Sequence, residues 1–336
     1  MAPLIEFTES GFYCPQADVY IDPWKRVDKA IITHAHSDHA RPGHKSYLCH
    51  SLSEKVIKAR LSPNAKVDTL EYGSSLYING VKIILFPAGH IAGSAQVYLE
   101  HKSERWVLSG DYNTQVDETH STFEPVPCDH FVTESTFGLP VFQWPSPSSV
   151  FEKINNWWKE NSEQQQASII MAYSLGKAQR IIQNVNHAIG PVYVHSSVHN
   201  MNEALVASGM QLKPTELLKE PEGKNLGNAL IVCPPGTQDS IWMKKIKNSR
   251  LAFASGWMHL RGTRRRRSVE TGFVLSDHAD WEGLNTAIKN TGAENIYVTH
   301  GYSDIFTKWL NEQGYNASSL RTAFEGESIE NTNDAL

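Results

Sequence analysis

Thr33-His34-Ala35-His36-Ser37-Asp38-His39 is the stretch on which the reading of this chain turns. It follows the apolar run Lys29-Ala-Ile-Ile32, so a buried strand delivers it to a strand end. Histidines two apart project from one side of an extended segment, so His34 and His36 can reach one cation together. Asp38 and His39 come where the chain must turn and can face a second cation nearby. Imidazole nitrogen with carboxylate oxygen is the donor mix of Zn²⁺ or Mn²⁺ chemistry, without the sulfur ligands of many structural zinc sites. One His-x-His alone is more often a solvated loop. His-x-His-x-Asp-His directly after a buried strand favours metal.

Outward from that loop the chain alternates short apolar runs with turn signals. Ser75–Ile78 and Val81–Phe86 flank Asn79-Gly80, a hairpin signal. Gln96–Glu100 and Arg105–Ser109 read as a second hairpin. Phe142–Ser149, rich in Pro and Ser, breaks the pattern, and Ser149-Val-Phe-Glu152 reads as a capping box opening a helix. Strands at 168–173, 192–194, 229–232 and 251–254 then alternate with helical spacing, including a helix over 177–187. That succession predicts a three-layer α/β segment with parallel strands. Gly272–Leu275 and Asn295–Val298 read as further strands, with a helix near Trp281–Lys289 between them.

The 336 residues suggest two domains, and 40% hydrophobic with 20% charged residues supplies an ordinary core. Cys14, Cys49, Cys128 and Cys233 are scattered and read as reduced thiols of a cytoplasmic protein. No apolar run is long enough for a bilayer, and the first residues lack a basic start and long apolar run, so neither membrane insertion nor a signal peptide is expected. The net charge of −5 gives no general attraction to polyanions. It conceals one concentrated strip, Arg261, Arg264, Arg265, Arg266 and Arg267, which can track phosphates even on an acidic chain. Lys177 and Arg180, at a strand-to-helix turn, read as a phosphate cradle. Trp144 or Phe142 is placed to stack a base.

The spacing of the histidine loop resembles the signature of the metallo-β-lactamase superfamily. The resemblance implies an Asp at an earlier strand end (Asp22), a His after a later strand (His90) and an Asp bridging two metals (Asp111). It also implies an αββα sandwich. Thr133–Gly138, with Glu134, resembles the first motif of the β-CASP nucleases. Leu275–Asp280, with His278, resembles their second motif, and Val298–Gly301, with His300, their third. The implied domains are a discontinuous sandwich over 1–143 and 268–324, a β-CASP-like insert over 144–267, and an acidic tail, 325–336, expected to fray. Gly11–Pro15, Tyr20–Trp24, His39–Gly43, Thr133–Pro140, Leu175–Gln179 and Arg264–Arg267 together are similar to bacterial ligase-associated DNA exonucleases, over most of residues 10–315.

The resemblance implies a metal-dependent nuclease with two divalent ions, Zn²⁺ first and Mn²⁺ second. His34, His36 and His90 would hold one ion, Asp38, His39 and His300 the other, and Asp111 would bridge. Attack on phosphorus is then in line, by metal-activated water. His278 is the expected proton donor, tuned by Glu134, with Asp38 and Asp111 counted with them as catalytic; Asp22 would orient the histidine loop. The implied substrate is single-stranded DNA in repair, with DNA ligase and helicase as partners. His300 departs from the DNA-acting branch, so an RNA-processing nuclease stays open, as does a small-molecule hydrolase of the same fold.

Overall fold

The structure is a computed structural model that describes residues 3–260, 262 and 271–324. Arg261, Arg264, Arg265, Arg266 and Arg267, and the acidic tail from 325, lie outside the described residues. The chain divides into two compact units: residues up to 143 joined by 278–324, and residues 144–277.

The first unit contains two sheets. One runs, in spatial order, Glu6–Thr8, Gly11–Cys14, Val19–Ile21, Lys29–Ile31, Ser46–Cys49 and Val67–Thr69. The other runs Asn316–Ser319, Asn295–Gly301, His130–Ser135, Glu104–Leu108, Ala95–His101, Val81–Pro87 and Ser75–Ile78. Alternation sorts the side chains between layers. Val81, Ile83 and Leu85, with Val97 and Leu99, join Phe12, Ile21 and Ile31 in a core shared by the two sheets. Ile84, Tyr98, Val107, Phe131 and Ile296 instead pack with Leu284 and Ile288 of helix Trp281–Thr291 and Phe306 and Leu310 of helix Ser303–Glu312.

Both expected hairpins form. Asn79 and Gly80 adopt φ of 49° and 82°, and Ile78 pairs with Val81 across this two-residue turn, as its right-handed twist requires. Lys102 and Ser103 make the second turn at φ of 49° and 70°, between His101 and Glu104.

The second unit is built on a parallel sheet ordered Glu216–Leu217, Val192–Val194, Leu230–Cys233, Ala167–Met171, Ser249–Ala254 and Thr271–Phe273. Its central strands are buried on both faces, Ile170 toward one core and Ile169 and Met171 toward another. Helix Pro147–Glu163 starts earlier than the sequence reading placed it. Ser146 is the cap, accepting the Ser149 N–H at 3.4 Å, and Pro147 sits in the first turn, where its missing N–H has no cost. The unit also runs further than expected. Thr271–Phe273 pairs with Ser249–Ala254, so the chain stays in this unit to Asp277 rather than leaving it at 267. No described helix is long and apolar enough to cross a membrane, and all four cysteines are buried and unpaired.

Candidate metal centre

Parallel strands put successive loops at one sheet edge. Val19–Ile21 and Lys29–Ile31 are parallel neighbours, so Asp22 and the Thr33–His39 loop leave their sheet side by side. Glu104–Leu108, His130–Ser135 and Asn295–Gly301 are parallel in the other sheet, which brings Asp111, Glu134 and His300 to one edge. The Ala95 N–H donates to the Thr33 carbonyl at 2.8 Å and ties the two edges together. Gly110 has φ of 57°, and a Cβ there would fall 2.6 Å from Thr33 Oγ1, so only glycine lets the Asp111 segment come this close.

Asp111 divides the cluster. Its Oδ2 lies 3.5 Å from His34 Nε2 and 3.8 Å from His90 Nε2, and His90 Nε2 is 3.0 Å from His36 Nδ1. Its Oδ1 lies 3.1 Å from His300 Nε2 and 3.6 Å from His39 Nε2, which is 3.8 Å from Asp38 Oδ2. His34 Nε2, His39 Nε2, His300 Nε2 and Asp111 Oδ1 are buried with no hydrogen-bond partner. Ring nitrogens and a carboxylate converging in a buried site fit a cation, and His34, His36, His90 and Asp111 lie close enough together to hold one.

The ring orientations are fixed from behind. Asp22, at φ 42°, accepts the Thr33 N–H at 2.8 Å, the Thr33 hydroxyl at 2.5 Å and the His39 Nδ1–H at 2.7 Å. His39 therefore turns its Nε2 into the cluster. Thr33 Oγ1 also sits 3.0 Å from His34 Nδ1, a contact not foreseen from the sequence, although a polar residue ending an apolar strand just before a ligand is a readable signal.

The two halves differ electrostatically. Burial, reinforced by His39 and opposed by Asp111, drives His34 well below the usual histidine range, so it stays neutral. Burial also works against a charge on His39, but the Asp111, Asp38 and Asp22 carboxylates outweigh it and lift His39 to about 10. Burial raises Asp111, yet His39 and His300 hold it well below the usual carboxylate range. The acidic half attracts positive charge strongly.

Beside the cluster, His278 Nδ1 lies 3.0 and 2.8 Å from the two oxygens of Glu134, whose Oε1 also accepts the Tyr112 N–H at 2.8 Å. Both side chains are buried, and together with Asp111 they form a second group close enough to hold a cation.

Lys177 and Arg180 are not a surface cradle. Both are buried at 2% and 1% exposure, and both pair with Asp277: Lys177 Nζ at 3.2 Å and Arg180 Nη1 at 2.9 Å. Their helix, Lys177–Asn184, buries most of its length around Ile181 and Ile182, so the two cations point into protein and Asp277 neutralises part of their charge. Phe142 is fully buried against Phe137, at 4.9 Å between ring centroids, and is not available to stack a base. Trp144 meets His259 at 6.1 Å.

No family model matches the chain. It is 36% identical to the "Endoribonuclease YSH1" of Kluyveromyces lactis, over 76% of this chain and 41% of that protein. It is 27% identical to a "Probable DNA ligase" of Opitutus terrae, over 92% of this chain and only 30% of the ligase. It is 23% identical to the "Probable RNase MJ4" of Methanocaldococcus jannaschii, over 87% of this chain and 86% of that protein. The fold is shared with a crystal structure of a protein of unknown function from Enterococcus faecalis V583, at a TM-score of 0.60 and 12% identity, over 88% of this chain and 80% of the other. Taken with the histidine and aspartate cluster between two sheet edges, these relatives make the chain a homologue of the β-CASP-type metallo-β-lactamase nucleases.

Proposed function

We propose that the chain is a metal-dependent nuclease that hydrolyses single-stranded DNA as a repair exonuclease, on an αββα sandwich carrying a β-CASP-like insert. One observation carries the reading: Asp111 turns a different carboxylate oxygen toward each of two histidine sets, beside a Glu134–His278 pair. His34, His36, His90 and Asp111 would hold one ion, and Asp38, His39, His300 and Asp111 a second, with Zn²⁺ or Mn²⁺ matching the donors. Bound there, the ions supply Lewis acidity toward phosphate oxygens and ease deprotonation of water.

The protein's own groups do the rest. Glu134 fixes the His278 Nδ1–H, which leaves Nε2 as the ring nitrogen that passes a proton to the leaving oxygen. Asp22 and Thr33 keep His39 and His34 from rotating. The arginines at 261 and 264–267 are the proposed phosphate-tracking strip. The ligase-named relative supports DNA and a ligase partner; a helicase partner follows from the family resemblance alone. The ribonuclease-named relatives and the presence of His300 support RNA as the second reading.

Digestion of 5′- and 3′-labelled single-stranded DNA and RNA, with Zn²⁺, Mn²⁺ and Mg²⁺ compared, tests the proposal. Release of labelled nucleotides from DNA supports it. Cleavage of RNA alone would establish the second reading, and no cleavage of either polymer with any ion would refute both.

A further inference from the structure

Beyond the strand Asn316–Ser319 the chain stays on the first unit through Phe324. The Leu320 N–H donates to the Val298 carbonyl at 2.8 Å, and the Ala323 carbonyl accepts from Arg41 Nη2 at 2.7 Å. Phe324 then lies flat on the imidazole of His39, with centroids 4.3 Å apart and planes 7° from parallel. It also meets His300 edge-on at 5.7 Å. It also meets Trp24, at 5.6 Å, which contacts Phe7 at 5.8 Å. Trp24 is held by its indole N–H on the Glu9 carbonyl at 2.8 Å and its backbone N–H on the Ser10 carbonyl at 3.0 Å. A row of rings thus runs from Phe7 through Trp24 and Phe324 to His39.

The two imidazoles that Phe324 touches are the pair at Asp111 Oδ1. We infer that residues 321–324 are a strap whose Phe324 ring positions His39 and His300 and so governs retention of the cation in that half of the centre, leaving the His34–His36–His90 half unaffected. The inference rests on reading His39, His300, Asp38 and Asp111 as cation ligands. The physical basis is restriction. Asp22 fixes one edge of the His39 ring at Nδ1, and Phe324 covers its face, excludes water from it and removes the ring's remaining freedom before any ion arrives. Phe324 is a positioning residue; it offers the ion no ligand atom. It is half-buried and also packs against the core shared by the two sheets, so each variant needs a control on folding.

The test is calorimetric titration of Zn²⁺ into the chelator-stripped full-length chain, with thermal unfolding followed by circular dichroism as a control on folding. Wild type takes up two ions. Phe324→Ala weakens one binding event by about three- to tenfold, the span an aromatic contact supports, and leaves the other within about twofold. Phe324→Trp restores the weakened event. Phe324→Leu keeps apolar bulk without a ring, guards against a folding defect in the alanine variant, and shows the same one-sided weakening. Two unchanged binding events in a folded Phe324→Leu protein, or equal weakening of both, would overturn the strap. A wild-type chain that binds fewer than two ions fails differently: it removes the ligand assignment itself, and the strap with it.

Discussion

Glu134 meets the His278 imidazole Nδ1 with both of its carboxylate oxygens, at 3.0 and 2.8 Å, and is itself anchored by the Tyr112 N–H. A carboxylate held in this way selects one tautomer of its histidine. On the proposed reading it would commit His278 to presenting Nε2 for proton transfer. His278→Ala should therefore lower kcat by about 10²–10⁴ while both ions stay bound, with metal content read by mass spectrometry. Loss of an ion would instead make His278 a ligand in the group it forms with Asp111 and Glu134. Glu134→Gln should cost about 10- to 100-fold in rate, because the amide keeps the shape and loses the charge.

Asp111 is the shared carboxylate of the cluster. Asp111→Ala should lower metal content toward zero ions per chain, since both histidine sets lose the carboxylate they share. Re-adding Zn²⁺ to chelator-stripped wild type should raise its stability by about 2.7 kcal/mol once free Zn²⁺ exceeds its dissociation constant about 100-fold. The variant should show little of this gain in the same melting experiment.

Asp22 touches no proposed ion yet orients His39 and Thr33. Asp22→Ala should weaken metal affinity by about 10- to 100-fold, by freeing the His39 ring. Equal affinity in a folded variant would show that the loop orders itself without Asp22.

Gly89 precedes His90 at φ 71°, and a Cβ there would lie 2.2 Å from the Asn113 carbonyl oxygen and 2.9 Å from the Phe123 nitrogen. Neither is the tip of a flexible side chain. Gly89→Ala should destabilise the fold by about 3 kcal/mol, through combined backbone strain and clash, measured as a shifted urea midpoint.

The acid response of stability follows from His50. Its Nδ1 accepts the Leu52 N–H at 3.3 Å as the cap of helix Ser51–Leu61, and its ring stacks on Tyr72 at 3.7 Å. Burial pushes its pKa below the usual histidine range, against an opposing pull from Glu71. The folded state thus resists a proton that the unfolded chain accepts near pH 6.5. The contribution is fully present above that pH and is lost as the pH falls toward the folded value. His50→Asn keeps a capping side chain and should reduce the fall in stability between pH 7.5 and 5.5. It should not abolish it, because burial also lowers His44, His130 and His195.

The legibility of these features in the sequence followed the distance over which each is decided. The Thr33–His39 loop announces itself because its donors are packed into a few residues after an apolar strand, and spacing alone puts them on one side. The parallel α/β unit was readable for the same reason: strand, helix and turn signals are local. Lys177 and Arg180 misled because a cation beside a helix start looks alike whether it faces water or a carboxylate. Their partner, Asp277, lies about 100 positions onward. Phe324 gave no signal at all, since stacking on His39 depends on where a chain end docks.

The pairing of His130–Ser135 with Asn295–Gly301 also sets the order in which the protein can mature. Ser135 Oγ donates to the His300 carbonyl across 165 positions, and the whole second unit is translated between them. A nascent chain that has made the histidine loop, His90, Asp111 and Glu134 still lacks His278, His300 and the strand that seats it. Closing so long a loop is entropically slow, and the second unit, contiguous in sequence, can fold first. On the proposed reading, a nascent chain that lacks the strand Asn295–Gly301 holds an incomplete centre, and fragments ending before it should not cleave nucleic acid.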